Sequence, residues 1–171
     1  MQGHEELARA ALDAFRVRIT GVFPAQIRSC IEQLGDDQLW WRPNDESNSV
    51  GNLVLHLSGS LRHNLARAVG GFRYERDRPA EFAERGPVPK ERLVEIFDET
   101  INLAVATLDG FDPSRMLDPG EDLSHGPTLF HSILTATIHL ATHAGQIVYI
   151  TKMLKAGSLD ELWIRTHRAA R

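Results

Sequence analysis

The feature of the sequence that most constrains its fold is an uncharged stretch at residues 126–151, which contains no Lys, Arg, Asp or Glu. A stretch of this length suits a helix and is too long for a typical strand. It also contains His131, His139, His143 and Gln146, and each of these side chains is costly in the hydrocarbon of a membrane. We therefore expect a helix buried inside a water-soluble bundle rather than a membrane span.

Four long patterns of apolar residues with helical spacing cover most of the chain, and little of it alternates in the manner of a strand. Within the first pattern, Gly21 and Pro24 predict a kink or short break near Val22. The second helix is expected to begin at a cap formed by Ser47 or Ser49. The predicted helices cover residues 5–34, 50–69, 89–108 and 127–154.

These patterns predict an all-α protein with a single domain, residues 1–171, folded as a four-helix bundle. No repeat, low-complexity tract or linker divides the chain. Connections of roughly 15 residues are long enough for a crossover topology instead of a simple up-down-up-down arrangement. One connection is a charged, proline-bearing loop at 72–88, and the tail at 158–171 is expected to pack on the bundle or on a partner subunit.

Composition and charge argue against several kinds of function. The chain carries 19 basic and 23 acidic residues, a net charge of −4, which does not suit non-specific binding to nucleic acid. The single cysteine, Cys30, excludes an internal disulfide and a zinc site built from cysteines, and is expected to be a small buried apolar residue. The first residues have neither a basic start nor a long apolar run, so we expect a cytoplasmic protein without a secretory signal.

Two histidines four residues apart, His139 and His143, point from one face of the predicted fourth helix. This spacing lets two imidazole nitrogens converge on one metal ion, but a catalytic site of the zinc type usually takes three protein ligands. His56 is the best candidate for the third because it lies in an apolar stretch of the second helix, at a comparable depth in the bundle. Imidazole ligands suit Zn, Ni, Cu or Fe(II) rather than Mg or Ca.

The histidine pattern also has simpler explanations. A pair at this spacing occurs by chance, and a buried histidine is often satisfied by a backbone carbonyl. The segments around the three histidines are poor in charge, so we expect no carboxylate partner for them. Three histidines without such partners have few reasons other than a metal to share a buried face.

Several other enzyme classes are excluded by missing motifs. The residues between His139 and His143 are Leu-Ala-Thr, so the glutamate base of H-E-x-x-H metalloproteases is absent. The predicted bundle helices carry no Glu-x-x-His, which argues against a ferritin-like di-iron site. The chain also lacks a glycine-rich phosphate loop and a G-x-S-x-G nucleophile elbow.

Three segments carry a resemblance to a known family: WWRPN at 40–44, SVGNLVLHL at 49–57 and HLATHAGQI at 139–147. Together they resemble the DinB-like (YfiT-like) superfamily, over about residues 15–154. The resemblance implies a four-helix bundle with crossover topology, usually dimeric, that binds a divalent metal through three histidines. The matching positions here are His56, His139 and His143, and none of them is substituted.

The resemblance leaves the activity open. Some relatives conjugate low-molecular-weight bacterial thiols to electrophiles, one hydrolyses or isomerises small molecules, and many have no assigned reaction. Three neutral imidazoles would leave a bound cation, Zn or Ni in our expectation, its full charge, so that it acidifies a bound water or thiol. We expect a hydrolase or thiol transferase acting on a small molecule. The alternatives are a non-catalytic dimeric bundle that retains metal for structure or sensing, and an interaction module without metal.

Four further residues are candidates for roles around the site, each with a structural alternative. His63 lies seven residues after His56 and about 10 Å along the helix, too far to share an ion, which favours a pocket or interface role. Arg62 and Asn52 are candidates for substrate contact, and Gln146 for a hydrogen bond to a ligand or within the fold. His63, Gln146 and Arg62 are the candidate catalytic side chains.

The remaining aromatic and histidine residues receive weaker roles. Trp40 and Trp41 are expected to pack the interhelical loop onto the core, with an aromatic pocket wall as the alternative. His125 lies in a loop that could reach the mouth of a site, although chance placement is favoured. No function is assigned to His4, His131 or His167.

Overall fold

The computed structural model describes residues 2–86, 88–120 and 126–155, and over these ranges the chain is helical with no β-strand. π-helical turns at Val17–Val22 and Arg62–Arg67 continue two of the α-helices, and a 3₁₀ turn lies at Pro113–Leu117. The α-helices of the described ranges are α1 Gln2–Arg16, α2 Phe23–Gln33, α3 Asp36–Leu39, α4 Val50–Leu61, α5 Arg78–Ala83, α6 Lys90–Asp109 and α7 Leu129–Leu154.

Four long helical rods form the bundle. The first rod is residues 2–33, the second is residues 50–67, the third is α6 and the fourth is α7. The first and second rods each pack against both the third and the fourth, so they occupy opposite corners of the bundle. The all-α bundle that the apolar patterns predict is therefore confirmed.

The first rod stays helical where the sequence predicts a kink or break. Pro24 has no N–H for the carbonyl four residues earlier, and a regular α-helix would also bring its ring against that carbonyl. The chain widens into the π-helical turn Val17–Val22 just before the proline, which then lies in the first turn of α2, where its missing N–H costs nothing. A local change of helix type replaces the expected break.

The second rod begins at Ser49, one of the two predicted caps. The hydroxyl of Ser49 accepts the backbone N–H of Asn52 at 3.1 Å, and the Asn52 side-chain oxygen faces the Ser49 N–H at 3.4 Å, which completes a capping box. The rod ends where Gly71 adopts a φ of 72°, a left-handed conformation that favours glycine. Both ends therefore follow from local sequence.

Contacts between the rods fix their directions. Arg16 pairs with Asp109 and Arg28 with Asp98, so the first and third rods run antiparallel. In the second rod, Arg62 donates to the Thr100 hydroxyl of α6 at 2.8 Å. Farther along, a Cβ at Gly70 would meet the hydroxyl of Thr107, so the second and third rods run parallel.

Parallel neighbours that follow one another in sequence need a connection that runs back along the bundle. Residues 72–89 form this crossover connection, which confirms the predicted crossover topology. It contains α5, a short helix within the segment that the sequence predicts to be a loop. Asp77 caps α5 by accepting the Ala80 N–H at 3.1 Å, and Pro79 lies in its first turn.

Side chains from other elements hold the crossover connection in place. The Asn52 amide donates to the carbonyls of Glu81 and Glu84 at 3.1 and 2.9 Å, and the Trp40 indole donates to the carbonyl of Val88 at 3.2 Å. The Asn52 bonds hold α5 against α4, and the Trp40 bond holds the end of the crossover connection. The hydrophobic core between the rods is lined by side chains such as Ile27, Ile31, Leu57, Leu65, Leu93, Phe97, Ile133 and Leu140.

Three other expectations concern individual parts of the chain. Cys30 is fully buried as expected, and burial raises the pKa of its thiol. No helix in the described ranges combines the length and the apolar character needed to cross a membrane. His125, His167 and the tail at 158–171 lie outside the described residues.

Candidate metal centre

Three histidines from two antiparallel rods meet between α4 and α7. His56 is 5% exposed on α4, whereas His139 and His143 are half-buried on α7. The Nε2 atom of His139 lies 3.0 Å from Nε2 of His56 and 3.0 Å from Nε2 of His143. One ligand atom from each residue lies within 4.8 Å of the other two, so the group could hold a metal ion.

These separations fit a shared cation. Two nitrogens that are each about 2.1 Å from one ion lie about 3.0 Å apart at a right angle and about 3.4 Å apart at the tetrahedral angle. The observed separations from His139 match the smaller of these values. The three rings therefore require little movement to bind one ion together.

Hydrogen bonds at Nδ1 of two rings favour the tautomer that a metal ligand needs, with the proton on Nδ1 and the lone pair on Nε2. Nδ1 of His56 lies 2.9 Å from a Glu81 carboxylate oxygen, and Nδ1 of His143 lies 2.6 Å from the side-chain oxygen of Gln146. Both oxygens are acceptors. An Arg76 nitrogen also lies 3.2 Å from Nδ1 of His56, but the same nitrogen donates to Glu81 at the shorter distance of 2.8 Å. Nδ1 therefore donates in each case and Nε2 keeps its lone pair. Those lone pairs point toward His139, where a cation between the nitrogens would relieve their repulsion.

The third ring is held by a chain of polar side chains on α4 and its π-helical continuation. The Ser60 hydroxyl lies 3.1 Å from Nδ1 of His139, and the Asn64 amide donates to the same hydroxyl at 3.0 Å. Ser60 and Asn64 are both buried. Each of the three rings thus has a polar partner at Nδ1, which leaves the Nε2 atoms to converge.

Glu81 is a buried, ionised carboxylate that joins the crossover connection to the histidine group. Arg76 donates to its two oxygens at 2.7 and 2.8 Å, and the Glu81 side chain is 8% exposed. Burial by itself would raise the pKa of the Glu81 carboxyl, but the hydrogen bonds from His56 and Arg76 outweigh it and hold that pKa below its ordinary value. The expectation that no carboxylate partners the histidines is therefore wrong.

A family model described as a protein of unknown function, DUF1572, matches residues 6–168. The chain belongs to the DUF1572 family. It is also similar to a solved structure, the crystal structure of the conserved protein of locus from Enterococcus faecalis. That match has 15% sequence identity and a TM-score of 0.60, and it covers 86% of this chain and 94% of that one. Likeness at this identity shows the fold alone. No curated protein matches the chain.

A local signal for Glu81 is present in this DUF1572 sequence. Asp77 followed by Pro79 is typical of a helix start, and a helix from there places Glu81 and Phe82 in its second half. The signal is short and lies among several exposed charges of the crossover connection. It predicts the helix but not the contact between Glu81 and His56, because the two residues are 25 positions apart in sequence.

The surroundings of His143 favour its neutral form in this DUF1572 protein. Burial is the main cause that lowers the pKa of its imidazole, and the nearby His56 lowers it further, although the Gln146 hydrogen bond acts in the opposite direction. A neutral ring is the form that ligates a metal.

The other candidate residues lie in different surroundings. Arg62 donates to the Thr100 hydroxyl and to the Ile96 carbonyl at 3.2 Å, so its guanidinium is engaged with α6. His63 lies outside the three-histidine group. Asn52 is buried and its amide donates to the crossover connection.

A cavity of about 570 Å³ adjoins the centre. Gln146 lines this cavity and also bonds His143, while none of the three grouped histidines is among its lining residues. Trp41 lines it as well, as the pocket-wall alternative anticipates. Trp40 packs against Gly51 and Gly86, as the favoured packing interpretation predicts.

The Gln146 hydrogen bond gives a direct test of ligand positioning. The Gln146→Leu variant is expected to bind Zn(II) about 10- to 100-fold more weakly, because Nδ1 of His143 loses its acceptor. Gln146→Glu is the matched control, since its carboxylate keeps an acceptor there and should preserve or raise the affinity. Competition with a chromogenic chelator measures both. Equal affinities for Gln146→Leu and the parent protein would show that this bond does not position His143.

Proposed function

We propose that this protein is a DinB-like, divalent-metal-dependent enzyme in which His56, His139 and His143 hold one cation. The observation that carries the proposal is the convergence of three Nε2 atoms whose rings are each bonded at Nδ1 to a polar side chain. Three neutral imidazole donors suit Zn or Ni, which are the ions we propose. When bound, such an ion supplies Lewis acidity toward a water or a low-molecular-weight thiol.

The surrounding residues prepare the site for that chemistry. Glu81 orients the His56 ring and makes it a better donor, while Arg76 neutralises the carboxylate charge. Both oxygens of Glu81 are engaged by Arg76, and one also contacts His56, so Glu81 does not act as a mobile general base. A thiol, with a pKa of about 8.5, needs much less help to ionise than water, so this arrangement favours thiol transfer over hydrolysis.

Phe82 supplies an apolar wall beside the ligands. Its ring centroid lies 4.6 Å from that of His56. The Arg78 guanidinium lies over the Phe82 ring, 5.2 Å from its centroid. His139 and His143 are half-buried, so the centre is partly accessible from the surface. These features support a small-molecule electrophile as the second substrate.

The proposal includes the biological setting expected from the sequence. We propose a cytoplasmic homodimer that binds neither nucleic acid nor membrane. The net charge of −4 and the family resemblance support these points. Sedimentation velocity checks the dimer, which should have twice the mass of the chain.

The test compares the metal-loaded protein with its His139→Ala variant on two reactions. One is the conjugation of cysteine to 1-chloro-2,4-dinitrobenzene, and the other is the hydrolysis of 4-nitrophenyl acetate. We expect conjugation that depends on the metal and falls by about 100-fold or more in the variant. Equal rates for both proteins in both reactions would contradict an enzymatic role of the centre with these substrate classes.

A second candidate function is a non-catalytic bundle that retains metal for structure or sensing. One observation favours it: the Glu81–His56 contact ties the crossover connection to the centre, so an ion there would hold that connection to α4. This candidate predicts bound metal and a large metal-dependent gain in thermal stability without turnover in either reaction.

A further inference from the structure

The cavity beside the centre has walls of two kinds. Trp41 and Tyr149 contribute aromatic rings, and Leu53, Ile150 and Met153 contribute aliphatic or thioether surface. Its volume of about 570 Å³ is within the range of small-molecule sites, roughly 300–1,000 Å³. The cavity is therefore large enough for a small organic molecule and mostly apolar.

The charge on the described lining of the cavity is negative. Among the described residues that line it, Glu46 is the only charged one, so no lysine or arginine lines the wall to receive an anion. The backbone N–H of Glu46 bonds Asn44, whereas its carboxylate has no hydrogen bond or ion pair with the described residues. A carboxylate that lines the same cavity as two aromatic rings provides groups that attract an organic ammonium ion.

We propose that this cavity binds a small organic cation of the alkylammonium class. The aliphatic part of the ligand packs on Leu53 and Met153, and the cationic nitrogen is attracted by Trp41, Tyr149 and Glu46. A neutral ligand of the same shape would gain no electrostatic attraction from the Glu46 carboxylate. An anion would be repelled by it.

This site goes beyond the proposed enzymatic function because it needs no metal. The three grouped histidines are not among its described lining residues, and Gln146 joins the cavity to the centre through its bond to His143. A bound ammonium compound would therefore lie next to the centre without ligating it. Failure of the metal proposal would leave this one intact.

The test uses choline and its neutral isostere 3,3-dimethyl-1-butanol as probes, with binding followed by chemical-shift titration of the full chain. Choline is expected to bind about tenfold more tightly than the isostere, the factor that a partly desolvated cation–π contact contributes. Glu46→Gln and Trp41→Leu should each weaken choline binding about tenfold. Asp45→Asn is the matched control, because Asp45 is the neighbouring carboxylate and does not line the cavity, so it should change the affinity less than about twofold.

Choline binding that is lost in Glu46→Gln and retained in Asp45→Asn supports the proposal. Equal binding of choline and the isostere, or no binding of choline, overturns it. The His139→Ala variant should bind choline as the parent protein does, and a loss of choline binding there would overturn the claim that the cavity acts without the metal.

Discussion

The His139→Ala variant is expected to bind Zn(II) on the order of 1000-fold more weakly than the parent protein while keeping its helix content. Nε2 of His139 is the central atom of the group, 3.0 Å from the corresponding atom of each of the other two rings. Its loss leaves two nitrogens, which is too few for a stable site of this type. The side chain is half-buried, so its truncation should disturb the core little.

The matched control for this variant is His131→Ala on the same helix. His131 bonds the Thr128 hydroxyl near the start of α7 and lies outside the three-histidine group. Chelator competition gives the affinities, and circular dichroism at 222 nm (the usual helix band) reports the fold. A His139→Ala variant with parental affinity, or a His131→Ala variant that loses the metal equally, would contradict the assignment of ligands.

The Gly59→Ala variant is expected to weaken metal binding, although residue 59 is not one of the three ligands. A Cβ at residue 59 would overlap a Glu81 carboxylate oxygen, and the Arg76 guanidinium lies just beyond, at 3.3 Å. The Glu81 side chain must move, which breaks its bond to His56 and leaves Arg76 poorly paired. We expect Zn(II) affinity to fall about 10- to 100-fold and the free energy of unfolding to fall by about 1–3 kcal/mol.

Gly21→Ala provides the control, because a Cβ at residue 21 has no heavy atom within 4 Å. That change should leave metal affinity unaltered and keep or slightly raise stability, since alanine is the better helix former. Chelator competition measures the metal affinity, and chemical denaturation of the metal-free proteins measures the free energy of unfolding. Unchanged metal affinity in Gly59→Ala would show that Glu81 does not support His56.

The bundle and the histidine group are predictable because they follow from short-range rules. Apolar residues at helical spacing define the long helices, and the polar run before Val50 limits the cap to Ser47 or Ser49, of which the structure uses Ser49. The spacing of His139 and His143 puts both rings on one face of α7. His56 follows from its place in an apolar stretch of a second helix.

The rest of the site depends on contacts between segments that are distant in sequence. Glu81 lies in a charged connection, and its role appears when the crossover brings α5 against α4. Gly21 and Pro24 predict a local disturbance of the first helix, but not that it takes the form of a π-helical turn. Local signals thus locate the disturbance and the start of α5, but not the contact between Glu81 and His56.

The most direct test of the three-histidine metal site is the metal content of protein purified without a histidine tag or chelator. Mass spectrometry of the metals, together with Zn(II) and Ni(II) titrations of the stripped protein, gives identity and stoichiometry. Three converging histidines predict one divalent transition-metal ion per chain in the parent protein and a loss of that ion in the His139→Ala variant. A parent protein that contains no transition metal and binds neither Zn(II) nor Ni(II) would contradict it.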